Sequence, residues 1–145
     1  MGLKTLSVAG LLLKVSGILA LFYSRSLFGG GPATIAVQAL AVVLLIWARL
    51  TFGHRSFHAA ATPTSGGLVT TGPYRYLRHP IYASILWFVA AGVAAHPSAL
   101  SVLFGLAIAA GAAMRIFAEE RLVVQRYPEY AAYAARIPRV IPFLF

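Results

Sequence analysis

Glu119 and Glu120 are adjacent, and they are two of only three acidic residues in the chain. Arg115 precedes Glu119 by four positions, a spacing that puts the two on one helix face and lets them pair. Upstream, the chain reads Gly72-Pro73-Tyr74-Arg75-Tyr76-Leu77-Arg78-His79-Pro80-Ile81-Tyr82. Each of the three tyrosines in that run offers a hydroxyl on an apolar ring, suited to a ligand that is part ring and part polar. His79 titrates in the physiological range when unperturbed, so it is a candidate for proton transfer. Pro80 suits a first helical position, and the N–H groups that follow could receive a carboxylate or hydroxyl oxygens. Arg115 has two readings. It neutralises Glu119 at the edge of a membrane, or it contacts a charged ligand.

The segments around these residues are apolar. Hydrophobic residues make up 60% of the chain and charged ones 10%, and the mean hydropathy is +0.82. Soluble domains carry about 25% charge, so the expected class is an all-α integral membrane protein, a single unit over residues 1–145. Apolar runs at Leu3 to Tyr23 and Pro32 to Phe52 each have the length of a helical crossing, about 20 residues. A long non-helical stretch rich in Gly and Pro follows, from His54 to Pro80. Next come Ile81 to Ala95 and Ser98 to Phe117, divided by His96-Pro97 and read as an antiparallel hairpin. Gly92, Gly105 and Gly111 are expected to draw its helices together. The tail, Ala118 to Phe145, begins as an amphipathic helix and ends in a Pro-interrupted run suited to the membrane interface.

With four spans, Lys4, Arg49, Arg55, Arg75, Arg78 and every arginine from Arg115 onward fall on one side and Arg25 on the other. The positive-inside bias then puts both termini, the aromatic run and the tail in the cytoplasm, in what the small span plan suits as a prokaryotic inner membrane. The net charge of +9 is read as topology and contact with anionic headgroups. No basic stripe interleaved with aromatics lies on a water-facing element, so nucleic acid is not an expected partner. The first span is read as uncleaved, because Lys14 interrupts it and Tyr23-Ser24-Arg25-Ser26 is a poor cleavage site.

Other candidates carry less. The absence of cysteine excludes disulfides and thiolate metal sites. His54 and His58 are four apart but lack a third ligand nearby, so no metal is expected. Gly29-Gly30-Gly31 is a hinge between spans, with no dinucleotide fingerprint after a strand. Lys14 faces the bundle interior or snorkels, and no acid in the other spans is an obvious partner for it.

The ordered set Leu68-Val69-Thr70-Thr71-Gly72-Pro73-Tyr74, Arg78-His79-Pro80-Ile81-Tyr82, Arg115, Glu119-Glu120, Tyr130, Tyr133 and Arg136-Ile137-Pro138 with Pro142 resembles the isoprenylcysteine carboxyl methyltransferase and phospholipid methyltransferase group. The resemblance covers residues 66–145, and the first two spans match only as generic helices. It implies a membrane-embedded methyltransferase that uses S-adenosylmethionine without a Rossmann fold. Carried across, Gly67, Leu68, Val69, Tyr74, His79, Pro80, Ile81 and Tyr82 contact the cofactor, Glu119 does so from the opposite side, and Arg115 faces the substrate. Arg115, Glu119 and His79 are then the catalytic set. The chain departs from the group's pattern at Ser84, where glycine is common, and at Tyr127-Pro128-Glu129-Tyr130, which is one residue shorter.

The implied acceptor is lipophilic, reaches the site from the bilayer, and carries an isoprenylcysteine-type carboxylate. A phospholipid amine or a small lipophilic thiol stands behind it. An amine would need a base, for which Glu120 or His79 is the candidate. Two readings from other classes stay open: a sterol-reductase-like enzyme that binds NADPH, and a membrane protein with no catalysis.

Overall fold

The computed structural model describes residues 2–53 and 67–142. The His54–His58 pair lies outside the described residues. Among those residues the protein is all-helical: α1 is Leu3–Tyr23, α2 Pro32–Phe52, α3 Pro80–Ala95, α4 Ala99–Arg126 and α5 Tyr130–Ala134, with a 3-10 turn at Gly72–Arg75. Helices α1, α2 and α4 are long and apolar enough to cross a membrane, and α3 is a shorter apolar helix. The chain is an integral membrane protein.

Local sequence sets the helix ends. Pro32 and Pro80 open α2 and α3, where the missing N–H costs nothing. Ser98 caps α4 by accepting from the Ser101 N–H at 3.1 Å. Gly53 closes α2 at φ +67°, a left-handed conformation that favours glycine. Helix α4 runs through the apolar stretch that ends at Phe117 and on through the amphipathic start of the tail. Its 28 residues rise about 42 Å at 1.5 Å each, more than the about 30 Å of a hydrocarbon core. The turns bearing Glu119 and Glu120 therefore extend the helix beyond its apolar stretch.

Helices α1 and α4 are the most extensively packed pair. The buried face of α1 is Ser7, Gly10, Lys14, Gly17 and Leu21, a three-four repeat typical of a coiled-coil seam. A Cβ on Gly10 would lie 2.6 Å from the Gly111 carbonyl oxygen, and one on Gly111 would lie 2.6 Å from that of Gly10. This corrects the expected role of the hairpin glycines. Gly111 lets α1 approach α4, Gly92 lies against the backbone of Leu27 and Ser26, and only Gly105 of the three faces α3, at Val93. Small residues do bring helix backbones together here, but between the first and last spans.

Helix α2 packs chiefly on α3, and α1 and α2 make at most marginal contact although they are consecutive. A polar staple holds the bundle at the α1–α2 turn. The buried Gln38 side chain donates to the carbonyls of Leu27 at 2.8 Å and Phe88 at 3.0 Å, and accepts from the Gly29 N–H at 2.8 Å. At the other end the tail folds back onto the chain. The Arg78 and His79 N–H groups donate to the carbonyls of Pro138 at 2.8 Å and Arg139 at 3.0 Å. Val140 joins Leu77, Tyr82, Ala83, Ala112 and Ile116 in one core cluster. The tail is thus fastened to the aromatic run.

Candidate active site

The start of α3 and the end of α4 face each other, and their charged side chains form two linked groups. In the first, the Tyr82 hydroxyl accepts from Arg115 Nε at 2.7 Å and donates to Glu119 Oε1. Arg115 Nη2 also donates to Glu119 Oε1 at 3.3 Å, and Nη1 reaches the Ser7 carbonyl of α1 at 3.4 Å. Arg115 is 6% exposed, so its charge depends on this carboxylate. Removing one partner of such a buried pair costs about 3–5 kcal/mol, because the other charge is left uncompensated.

Glu120 anchors the second group. Arg78 Nη1 lies 2.8 Å from Oε1, and Arg139 approaches Oε2 through Nη2 at 3.1 Å and Nε at 3.2 Å. His79 Nε2 lies 3.1 Å from Oε1, and the Tyr130 hydroxyl donates to it at 3.4 Å. His79 connects the groups, because its Nδ1 lies 4.0 Å from Glu119 Oε2. Successive helix positions differ by about 100° in direction, which is why two adjacent glutamates serve two different sets of partners.

Two further tyrosines tie the tail to this region. The Tyr133 hydroxyl donates to the Tyr74 carbonyl at 2.6 Å, and the Tyr74 ring lies against Phe52 at 5.5 Å. Burial raises the phenols of Tyr74 and Tyr130 well above the usual range and pushes that of Tyr133 up to about 12. A buried phenol keeps its proton because the phenolate loses hydration, so these groups are neutral donors at physiological pH.

Of the residues singled out from sequence, His79, Tyr82, Arg115 and Glu119 converge. Pro80 is buried at the start of α3, and Ile81 is half-buried beside it. Tyr74 is buried on the 3-10 turn. Leu68 and Val69 are half-buried on the approach to that turn, and Gly67 is exposed at φ +81°. Sequence reasoning passed over Arg139, and it assigned no site role to Ser7 or Lys14. The signal for Arg139 was charge balance: Glu120 had no named partner while arginines were in surplus. A depression of about 450 Å³ lies elsewhere, between Gly31, Thr34 and His96, away from this charge.

The arrangement could hold a cationic ligand at Glu119 and an anionic one at the arginines. Arg78 Nε is buried and has no hydrogen-bond partner among the described residues, an unmet donor that an acidic ligand group would satisfy. Glu120 is different. Paired with two arginines, it has little capacity left to accept a proton.

Comparison with known proteins bears on this region. Residues 34–125 match the family described as isoprenylcysteine carboxyl methyltransferase. The match begins in α2 and ends at Gln125, earlier at both ends than the resemblance read from motifs, so the second span is more than a generic helix. The chain is 32% identical over 107 residues to the cobalt-zinc-cadmium resistance protein CzcN of Cupriavidus metallidurans, covering 73% of this chain and 46% of that protein. It is 36% identical over 78 residues to the nickel-cobalt-cadmium resistance protein NccN of Alcaligenes xylosoxydans xylosoxydans, covering 53% of this chain and 37% of that protein. The matched part is thus less than half the length of these curated relatives. With well over half of this chain matched, and His79, Tyr82, Arg115 and Glu119 all inside the match, the protein belongs to the isoprenylcysteine carboxyl methyltransferase family.

Proposed function

We propose that this protein is an S-adenosylmethionine-dependent methyltransferase acting on a lipophilic acceptor, with an isoprenylcysteine-type carboxylate as the acceptor class. The observation that carries this reading is the meeting of residues 78–82 with residues 115–120, both within the family match. The cofactor supplies a methyl group on a positively charged sulfur, and transfer to a carboxylate oxygen breaks the C–S bond as the C–O bond forms. Gly67, Leu68, Val69, Tyr74, His79, Pro80, Ile81, Tyr82 and Glu119 would hold it. The fit is chemical: aromatic rings for adenine, a carboxylate for positive charge, and the unmet Arg78 Nε–H for an acidic group.

Arg115 would orient the acceptor carboxylate, with Tyr82 and Glu119 fixing the direction of its guanidinium. An ionised carboxylate needs no base, so the protein's contribution is positioning, exclusion of water and electrostatics. The arginine-paired Glu120 is poorly suited to take a proton from an amine, which favours the carboxylate over a phospholipid amine. The site end of the bundle would face the cytoplasm, since the arginines gather there and Arg25 sits at the α1–α2 turn.

The test is incubation of the protein in lipid nanodiscs with methyl-labelled cofactor and a prenylated cysteine derivative. Alkali-labile label in the lipid fraction is expected, because an ester releases methanol. Alkali-stable label would point to an amine or thiol acceptor. No transfer, together with saturable NADPH binding, would replace the reading with a reductase.

A further inference from the structure

Lys14 is the one charged residue on the buried face of α1, between Gly10 and Gly17. It is 9% exposed. Its ammonium lies over the Tyr82 ring, 5.1 Å from the centroid, and it has no hydrogen bond or ion pair with any described residue. Eleven residues into the helix, it lies about 16 Å along the axis at 1.5 Å per residue. An ammonium at that depth is costly and calls for a partner. The nearby carboxylate, Glu119, is already engaged by Arg115 and Tyr82.

Among the described residues, Lys14 and Arg115 both lie near one side-chain carboxylate here, that of Glu119. The Tyr82 ring stands between them, with Lys14 over its face and Arg115 at its hydroxyl. Contact between α1 and α2 is marginal, and Lys14 lies on the face of α1 that meets Gly111 of α4. Leu12, Leu19, Leu40 and Val43 expose apolar surface on α1 and α2.

We propose that Lys14 is a specificity-determining residue that binds, beside Arg115, the ionised acid group of the acceptor. The acceptor is then an amphiphile whose acid group sits within the span and whose apolar chain stays in the bilayer. This rests on the carboxylate reading above and adds a residue outside the family match, which begins at residue 34.

The experiment compares 9,10-dibromostearic acid with its methyl ester, two probes with the same chain that differ in charge. Binding is read as saturable quenching of Trp47 and Trp87 in phosphatidylcholine nanodiscs, for wild type, Lys14→Met and Lys14→Arg. The account expects wild type to prefer the acid and Lys14→Met to lose about tenfold of that preference, the scale of one charged hydrogen bond. Ester binding should stay unchanged, and Lys14→Arg should recover most of the loss. An acid-to-ester ratio in Lys14→Met equal to wild type, or no acid preference in wild type, would overturn the proposal. S-adenosylhomocysteine titration of the same samples separates the two ideas. Failure of wild type to bind it removes the methyltransferase reading, while the acid-to-ester ratio still decides the role of Lys14.

Discussion

The two ends of the bundle both bury polar groups, but they do so differently. At the α1–α2 turn, Gln38 joins three elements through neutral hydrogen bonds to backbone groups. Where α3 starts and α4 finishes, charges are gathered instead: two carboxylates among Lys14, Arg78, Arg115 and Arg139, with a buried Arg78 donor that has no partner among the described residues. A satisfied neutral network fixes a fold. An unbalanced charged one is costly in an apolar protein and is retained where a ligand completes it. Under the proposed function, the contrast divides the bundle into an end that holds the fold and an end that binds.

The largest expected effect tests that division at the charged end. Glu119→Ala strips the buried Arg115 of its carboxylate and should cost about 3–5 kcal/mol of stability, along with cofactor binding. Unfolding in mixed micelles and a titration with S-adenosylhomocysteine would measure both. At the other end, Gln38→Leu strips the Leu27 carbonyl and the Gly29 N–H of their side-chain partner and should cost about 2–4 kcal/mol, at about 1–3 kcal/mol per unsatisfied group with partial relaxation. Cofactor affinity of the folded fraction should stay at the wild-type value. A loss of affinity there would merge the two ends into one cooperative unit.

Gly111→Ala probes the seam that links the ends. Its Cβ would meet the Gly10 carbonyl, and overpacking of this kind costs about 1–3 kcal/mol. Because Arg115 lies one turn further along α4, affinity should fall with stability. The smallest effect is at the tail. Tyr133→Phe removes the bond to the Tyr74 carbonyl and should cost about 1 kcal/mol.

Tyr133 also sets a pH dependence. Its phenol is raised from 10.0 to about 12 in the folded protein, so above pH 10 the unfolded chain loses a proton that the folded one keeps. Stability from this residue is full below that point and falls as pH rises to about 12. Denaturation at graded pH should show a shallower decline for Tyr133→Phe than for wild type.

Much of the charged end was legible because charge is rare here. Arg115 and Glu119 could be paired from their spacing alone, and the aromatic run stood out against apolar neighbours. The α1–α4 seam was not legible, since a stripe of Ser, Gly and Lys within an apolar helix leaves no amphipathic signal. Gln38 drew no notice for a related reason: one neutral polar residue in a span shows nothing of the three backbone groups it satisfies. The far end of α4 was legible only as an amphipathic start to the tail, because polarity changes at Ala118 while the residues stay good helix formers as far as Pro128. The return of the tail depends on backbone bonds from Arg78 and His79 to Pro138 and Arg139, which no local pattern encodes.

The central claim is that residues 78–82 and Glu119 wall one cofactor site. Calorimetric titration of the nanodisc-embedded protein with S-adenosylhomocysteine, comparing wild type with Glu119→Gln and His79→Ala, tests it most directly. The account predicts single-site saturation in wild type and at least about tenfold weaker binding in each variant, as expected for the loss of a charge-assisted contact. A folded wild type that does not bind, or variants that bind as tightly as wild type, would contradict it.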